Sequence, residues 1–559
     1  MIERSTERGA TFERRMGPLA GARSRVADVR RAVRAAARAL AMLIVTPALL
    51  WLGACASLPS DVPRTPSTAI GADSATPLAR VAAASTPPDQ AQLSGLRLLG
   101  DAAQAFELRL ALVRLAQTSL DLQYYLIAQD DSGAQLLDEL ERAARRGVRV
   151  RLLLDDLHAA GLEPALQRLA ALPQAEVRLF NPLPSRVGNV WSTRMLLSLH
   201  EFGRVNRRMH NKLFIADNSF AVSGGRNIGD DYFMRGSTSH FIDMDLLASG
   251  AIVSELSQLF DRFWNSTQAF PIESLSTAAA APGAVVAART GSADAASDDA
   301  LLRELGRGRV ALQFAAVRLL ADAPDKAAAP GSAPALPTAM DGVQQLFGAA
   351  LAEIEVVSPY FVPGQSGMAL IRAAAASRVR FAVTTNSLAS TDEPLAYLGY
   401  ARYRDAMLDL GVHIVEVSAV DAPRVGLHSG RSGSVGRLHA KVATIDRRWL
   451  LLGSLNMDAR SAHTNTELVL VIDSAPLAAE VSALLHRHWQ DDHYQLRRAP
   501  AGVWLGVAAP PAADTTPWQV EWVSAGADVP RVHAGEPGVT LFARMWFGLM
   551  SLFVPEDWL

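Results

Sequence analysis

His210-Asn-Lys212 opens the stretch His-Asn-Lys-Leu-Phe-Ile-Ala-Asp, which closes on Asp217. The pattern returns as His439-Ala-Lys441-Val-Ala-Thr-Ile-Asp446. In both copies six residues intervene before a short glycine turn: Gly224-Gly225-Arg226-Asn227 in the first and Gly453-Ser454-Leu455-Asn456 in the second. On a strand, residues two apart share a face, so His210 projects with Lys212 and His439 with Lys441. One such pair is an incomplete device. Two pairs face to face put two imidazoles and two ammonium groups around one small volume, which suits an in-line displacement at phosphorus. One imidazole attacks and becomes covalently phosphorylated, while the other, protonated, serves first as general acid and then as base. The lysines offset phosphate charge as it grows in the transition state. Asn227, Asn456 and Ser454 can donate to the same oxygens, and Gly225 in place of the serine implies a close approach there.

A histidine in this role needs a fixed tautomer, usually set by a carboxylate on its other nitrogen. Each copy offers one on the next strand downstream: Asp243 after His210, and Glu467 after His439. Asp245 competes with Asp243 in the first copy. Asp217 and Asp446 complete the two catalytic-type triplets, but they lie at odd offsets from their histidines and are expected to be buried and structural. His158, His200, His240, His413, His463, His486, His488 and His493 have no lysine partner and read as surface or packing residues, with His463 near enough to the second motif to line the site. The acidic pairs Asp155-Asp156 and Asp230-Asp231 lack further ligands at metal-binding spacing.

The elements around the motifs repeat. Helical spacing marks 102–116 and 132–146, alternation marks strands at 119–127, 148–154 and 176–180, and a strand (243–247) and a helix (251–264) follow the first motif. The plan recurs as strand 354–357, helix 367–376, strand 379–385, helix 396–410 and strand 412–417, with strand 467–472 and helix 477–489 after the second motif. This predicts an α/β chain with parallel strand pairs, duplicated into two domains with His210 and His439 as equivalents. The division is a targeting segment 1–54, a flexible tether 55–95 rich in Pro, Ser, Thr and Ala, a first domain 96–270, a low-complexity linker 271–300, a second domain 301–500 and a tail 501–559.

With 559 residues, 49% hydrophobic and 20% charged, the chain is globular and too long for one ordinary core. A net charge of −2 gives no nucleic-acid-like excess. The single cysteine, Cys55, rules out an internal disulfide and a cysteine zinc site. An arginine-rich stretch followed by the apolar run 39–52 fits a signal peptide and is short for a transmembrane helix. Leu52-Gly-Ala-Cys55 resembles the bacterial lipoprotein box, in which the cysteine receives lipid; a signal anchor with an incidental cysteine is the alternative. Ala56 after the cysteine permits export to the outer membrane by that resemblance, so the expected location is membrane-associated and periplasm-facing, in either membrane. The apolar stretch 541–554 suits a helix lying in a membrane surface, or equally a terminal helix packed on the core.

The doubled motif resembles the phospholipase D superfamily across nearly all of residues 96–500, and within it bacterial cardiolipin synthases of the C type. The matching stretches are Leu120-Asp-Leu-Gln-Tyr-Tyr125, Gly147 to Asp156, Asn206 to Lys212, Gly224 to Phe233, Thr385-Asn-Ser-Leu388, Gly399 to Arg404 and Asn465-Thr-Glu467. The resemblance implies two pseudo-symmetric phospholipase-D-type domains, each a mixed sheet flanked by helices, with the site at their interface. It also implies a phosphohistidine intermediate, His210 as nucleophile and His439 as acid, Asp243 rather than Asp245 as the orienting carboxylate, and no metal or other cofactor. It implies phosphatidyl transfer from a membrane phospholipid to phosphatidylglycerol, yielding cardiolipin. Hydrolysis by water is the alternative outcome, and a nuclease of the same superfamily is the alternative class, opposed by the charge, the anchor and the apolar tail. A non-catalytic lipid-binding lipoprotein is the third, opposed by two intact motifs.

Overall fold

The computed structural model describes residues 57–236, 239–275, 299–328, 331, 336–419, 435–488, 493–500, 518–524 and 530–540, with 542, 545–547 and 549 beyond them. The targeting segment and Cys55 lie outside the described residues, as do 276–298 of the linker and 550–559 of the tail.

The first unit contributes β1 (Ser94–Leu99), β2 (Ser119–Tyr124), β3 (Arg149–Asp155), β4 (Ala175–Phe180), β5 (Leu213–Ala216), β6 (Phe220–Gly224), β7 (Ser239–Ile242), β8 (Asp245–Gly250) and β9 (Ala269–Pro271). The second contributes β10 (Gln313–Ala321), β11 (Glu353–Val357), β12 (Arg380–Asn386), β13 (His413–Val417), β14 (Val435–Leu438), β15 (Val442–Ile445), β16 (Trp449–Gly453), β17 (Leu468–Asp473), β18 (His493–Pro500), β19 (Trp518–Ser524) and β20 (Val532–His533). Hydrogen bonding orders the first set as β9-β4-β3-β2-β5-β6-β8-β1. The second runs β10-β17-β16-β15-β11-β12-β13-β18-β19-β20. In each, three neighbouring strands are parallel (β2-β3-β4, β11-β12-β13) and the rest antiparallel, so one topology has been used twice. β10 joins the halves: Gln313–Ala315 pair with β1 and Ala316–Ala321 with β17.

Side-chain alternation distributes the core. Along β5, Phe214 and Ala216 face the first unit's outer helices, while Leu213 and Ile215 face inward. Along β17, Leu468, Leu470 and Ile472 face inward, and Val469 and Val471 face the second unit's outer helices. The inward faces, with helices Ala251–Trp264 and Ala475–His488 between them, form one apolar layer shared by both units. A period of two thus places every strand residue on a known face. Gly147, with φ +98°, ends the helix Asp131–Arg145 before β3 begins.

Three sequence-based boundaries shift. The tether is not free from residue 57 onward: helix Pro77–Ser85 buries Leu78 and Val81 in the first core. Carbonyls upstream cap buried arginines, with Arg178 donating to Thr65 (2.6 Å) and Arg151 to Ser67 (3.1 Å). A Pro/Ser/Thr-rich composition concealed a short apolar stripe and a row of acceptors. Leu301, Leu305 and Val310 belong to the first core, so the second sheet starts at β10 rather than at 301. The tail is partly sheet, since β19 and β20 extend the second unit and Trp522 donates to the buried Glu416 carboxylate (2.8 Å). Among the described residues, no helix is long and apolar enough to cross a membrane.

Leu78→Ala is expected to lower the unfolding free energy by about 3 kcal/mol, as a buried leucine does. A urea titration that finds no loss would return this segment to the status of a tether.

Candidate active site

β5 starts at Leu213, opposite Gln123 near the C-terminal end of β2, and β15 starts at Val442, opposite Val357 at the end of β11. His210–Lys212 and His439–Lys441 are therefore lead-in segments just beyond the C-terminal ends of the parallel strands, not strand residues proper. Side chains at the ends of β3 and β12 hold them. Asp155 accepts from the Met209 backbone N–H (2.8 Å) and from Arg208 (3.1 Å). Asn386 grips Leu438 at both its N–H and its carbonyl (2.9 Å each). Each residue before a histidine is thus fixed by the strand end beneath it.

The lead-ins also cross between units. The His210 N–H donates to the Thr466 carbonyl (3.0 Å), and the Thr466 N–H donates to the Arg208 carbonyl (2.9 Å). β14, immediately before His439, pairs in parallel with β7, immediately before Asp243, and the His439 N–H donates to the Ile242 carbonyl (2.8 Å). This crossing corrects the pairing expected from sequence. His210 Nδ1 donates to Glu467 (3.0 Å), and His439 Nδ1 donates to Asp243 (2.6 Å). Each unit supplies the carboxylate for the other unit's histidine, because the strand that carries the carboxylate pairs with the opposite lead-in.

Glu467 is held further by the hydroxyls of Ser454 and Ser461, the latter at 2.8 Å. Ser454 is therefore a clamp on Glu467 rather than a phosphate donor. At Gly225, the matching position, a Cβ would stand 2.1 Å from Asp243 Oδ1, so the shorter carboxylate sits where the serine side chain would be. Asp245 is not the orienting group; it is buried against Arg109 (2.8 Å). Lys212 Nζ and Lys441 Nζ donate back to the carbonyls of His210 (2.6 Å) and His439. Asn227 donates to the Tyr232 hydroxyl (2.9 Å), and its amide oxygen and that of Asn456 are buried without a partner, polar atoms still open to a ligand.

Asp217 and Asp446 do not reach the histidines. Both have positive φ (+49° and +53°) at the far ends of β5 and β15, roughly 15 Å along the strand from their lysines. Asp217 accepts from the backbone N–H groups of Gln117, Thr118 and Ser119 and the Thr118 hydroxyl; Asp446 accepts from the N–H groups of Leu351, Ala352 and Glu353. They tie each motif strand to the start of its neighbour.

Burial pushes the His210 imidazole down to about 4, against the pull of Glu467. Burial also holds His439 below its ordinary value; Lys441 adds to this and Asp243 opposes it. Lys212 falls to about 7 and Lys441 to about 8, again through burial, with nearby carboxylates opposing. Burial would raise Asp243, but His439, Lys441 and Arg226 outweigh it and bring it to about 2. An ionised Asp243 beside a neutral imidazole requires that Nδ1 carry the hydrogen, which leaves Nε2 with a free lone pair. The same holds for Glu467 and His210.

Aromatic rings close the site. Tyr125 packs edge-on to His210 (5.2 Å between centroids) and lies under Lys212 (5.5 Å). His158, expected to be a bland packing residue, bonds the Tyr125 hydroxyl (3.1 Å) and meets Trp191 (6.0 Å). Trp191 is 47% exposed, and Val187, Val190, Leu196 and Leu199 around it are exposed too. His463 is exposed, and its backbone carbonyl accepts from Arg207 (3.1 Å). Of the acidic pair weighed as metal ligands, Asp155 spends both oxygens on Arg208 and backbone N–H groups, while Asp156 uses Oδ2 for Arg186 and the Leu183 N–H and leaves Oδ1 buried without a partner. Neither Asp155 nor Asn386 shows a spacing signal that would have revealed its role.

Residues 110–264 and 343–489 match the family described as cardiolipin synthase, PLD-like domain. The chain belongs to the phospholipase D superfamily. It is 34% identical over 480 residues to cardiolipin synthase C of Escherichia coli K12, covering 83% of this chain and 96% of that protein. It is 30% identical over 431 residues to an uncharacterized protein of Helicobacter pylori, covering 73% and 82%. The crystal structure of phosphatidylserine synthase from Haemophilus influenzae Rd KW20 shares the fold, with a TM-score of 0.50 at 14% identity over 74% of this chain and 88% of that one. As a cardiolipin synthase-like member of the phospholipase D superfamily, the chain is an enzyme of the phosphatidyltransferase/phosphodiesterase type.

The two motif aspartates are expected to act on stability first. Asp217→Ala removes a fully buried carboxylate from four donors and should cost about 3 kcal/mol, with Asp446→Ala costing less because it lies nearer the surface. Equal losses in denaturant titrations, or none, would contradict this assignment.

Proposed function

We propose that the enzyme makes cardiolipin by moving a phosphatidyl group from a phospholipid donor to phosphatidylglycerol through a phosphohistidine on His210. The observation that carries this reading is the crossed pair of carboxylates, since each consumes the Nδ1 hydrogen of a histidine and leaves both Nε2 atoms for phosphorus chemistry. In the first step the His210 Nε2 lone pair attacks phosphorus as the bond from phosphorus to the headgroup oxygen breaks. The departing oxygen takes its proton from His439 Nε2, which enters this step as the imidazolium, its charge offset by Asp243 and the bound phosphodiester. In the second step the acceptor hydroxyl returns a proton to His439, its oxygen attacks phosphorus, and the P–N bond to His210 breaks. Atoms and charge balance over the cycle. Lys212 and Lys441, with the amide N–H groups rather than the open amide oxygens of Asn227 and Asn456, stabilise the phosphoryl oxygens, in a site dry enough that such interactions are strong. Reaction at Nε2 also explains why a fixed tautomer matters more here than basicity.

Two exposed apolar surfaces support a membrane-borne substrate. One surrounds Trp191. The other is the helical stretch in which Phe542, Met545, Trp546 and Leu549, spaced at i, i+3, i+4 and i+7, are exposed while Phe547 packs against the second unit. With lipidation of Cys55, these would hold the enzyme on a periplasm-facing bilayer surface.

Purified protein given phosphatidylethanolamine and labelled phosphatidylglycerol in vesicles should yield cardiolipin, and His210→Ala should reduce the rate by at least about a thousandfold. Acid-stable label trapped on some residue other than a histidine would overturn the mechanism. For kcat/KM, which reports the free enzyme, activity should rise with pH through about 4 as His210 loses its proton. It should then fall in two stages: first as His439, held below its ordinary 6.5, loses its proton, and again through about 7 to 8 as Lys212 and Lys441 lose theirs. A profile flat from pH 6 to about 9 would contradict these assignments.

A further inference from the structure

The pseudo-symmetry of the site fails at one place that bears on substrate choice. Beyond β2 and β3, the loops of the first unit carry Tyr125, whose hydroxyl bonds His158 (3.1 Å), and behind it the exposed apolar surface at Trp191. Beyond β11 and β12, the corresponding loops of the second unit carry Tyr360, whose hydroxyl donates to Asp392 Oδ2 (2.9 Å). One side is neutral and apolar; the other ends in a carboxylate.

Asp392 belongs to the same loop as Asn386, which grips Leu438 beside His439. Its charge is felt at His439, Lys441 and Tyr232. Its second oxygen, Oδ1, is buried and has no hydrogen-bond partner. Among the described residues no cation pairs with it, and Arg460, whose charge reaches the adjacent Glu393, is committed to Asn206 (2.9 Å). A carboxylate has no use for the phosphate itself, which it repels. A buried acceptor left open is costly, so it is best explained by a ligand that donates to it. In-line geometry places the alcohol that leaves, and the alcohol that replaces it, on the side of the general acid, which is the His439 side.

We propose that Asp392, steadied by Tyr360, forms the alcohol subsite of the enzyme: Oδ1 accepts a hydrogen bond from a hydroxyl or ammonium group carried by the departing headgroup and then by the acceptor alcohol. The subsite distinguishes alcohols by a second donor a few bonds from the reacting oxygen. Glycerol-type and ethanolamine-type groups carry one, and a simple alkanol does not. The subsite also supplies the asymmetry that makes His439 rather than His210 the proton-transfer histidine. It rests on the phosphatidyl-transfer reading.

The test uses the full chain with phosphatidylethanolamine vesicles as donor and equal concentrations of glycerol and 1-propanol as competing acceptors. Phosphatidylglycerol and phosphatidylpropanol are counted by mass spectrometry. In Asp392→Asn the ratio of glycerol to propanol product should fall about tenfold, the size expected when a charged acceptor for one hydroxyl is removed. Asp392→Ser carries the same comparison should the amide variant fail to fold. A ratio unchanged in an active variant, whatever happens to the total rate, overturns the subsite alone. A wild-type enzyme that forms neither product overturns the transfer reading and the subsite with it.

Discussion

The hydrogen bond from each histidine to a carboxylate of the opposite unit is the constraint on which the rest of the structure depends. It fixes the tautomers, and it also forces the two units to share a site that neither could assemble alone. Both members of each pair are buried, so a unit that separated would expose or strand a carboxylate and an imidazole together. The shared apolar layer between the sheets and the pairing of β7 with β14 serve the same end, bringing His439 to Asp243. Activity and association of the units therefore cannot be uncoupled.

The two halves achieve one geometry by different side chains. Glu467 reaches His210 with an extra methylene and is steadied by Ser454 and Ser461. Asp243 reaches His439 from closer in, against a glycine that leaves it room. Below the histidines, Asp155 and Asn386 do one job with a charge in one unit and an amide in the other. Backbone placement has been preserved while side-chain chemistry has diverged. Divergence of that kind lets a pseudo-symmetric site run an asymmetric reaction, with an apolar approach near His210 and an anionic one near His439.

Burial shapes the electrostatics more than any single ion pair. Four basic side chains occupy a small volume, and desolvation lowers the pKa of every one of them. The empty site is thereby relieved of part of its mutual repulsion. An arriving phosphodiester brings the counter-charge that favours protonated lysines, so substrate and cationic site stabilise each other. The carboxylates stay ionised because the same cations surround them.

Periodicity and spacing were enough for the duplicated α/β plan and most element boundaries, and they singled out His210, Lys212, His439 and Lys441, which the fold brings to one place, because a strand's alternation and a repeated motif are local properties of the chain. The structural role of Asp217 and Asp446 was likewise legible, since an odd offset turns a side chain away from its neighbour's face. Which carboxylate serves which histidine was not. Asp243 follows His210, and Glu467 follows His439, within the same copy of the plan, so each looks like a sufficient partner until strand pairing across the units reveals the exchange. Ser454 was misread for the same reason: a hydroxyl near a phosphate site resembles a donor until its acceptor on the next strand, Glu467, is seen. The packed segment before residue 96 hides a short apolar stripe in a Pro/Ser/Thr-rich composition, and the clamps at Asp155 and Asn386 and the open oxygen of Asp392 carry no periodic signal at all. They are set by where distant segments meet, and a contact between residues far apart in the chain leaves its mark in three dimensions rather than in one.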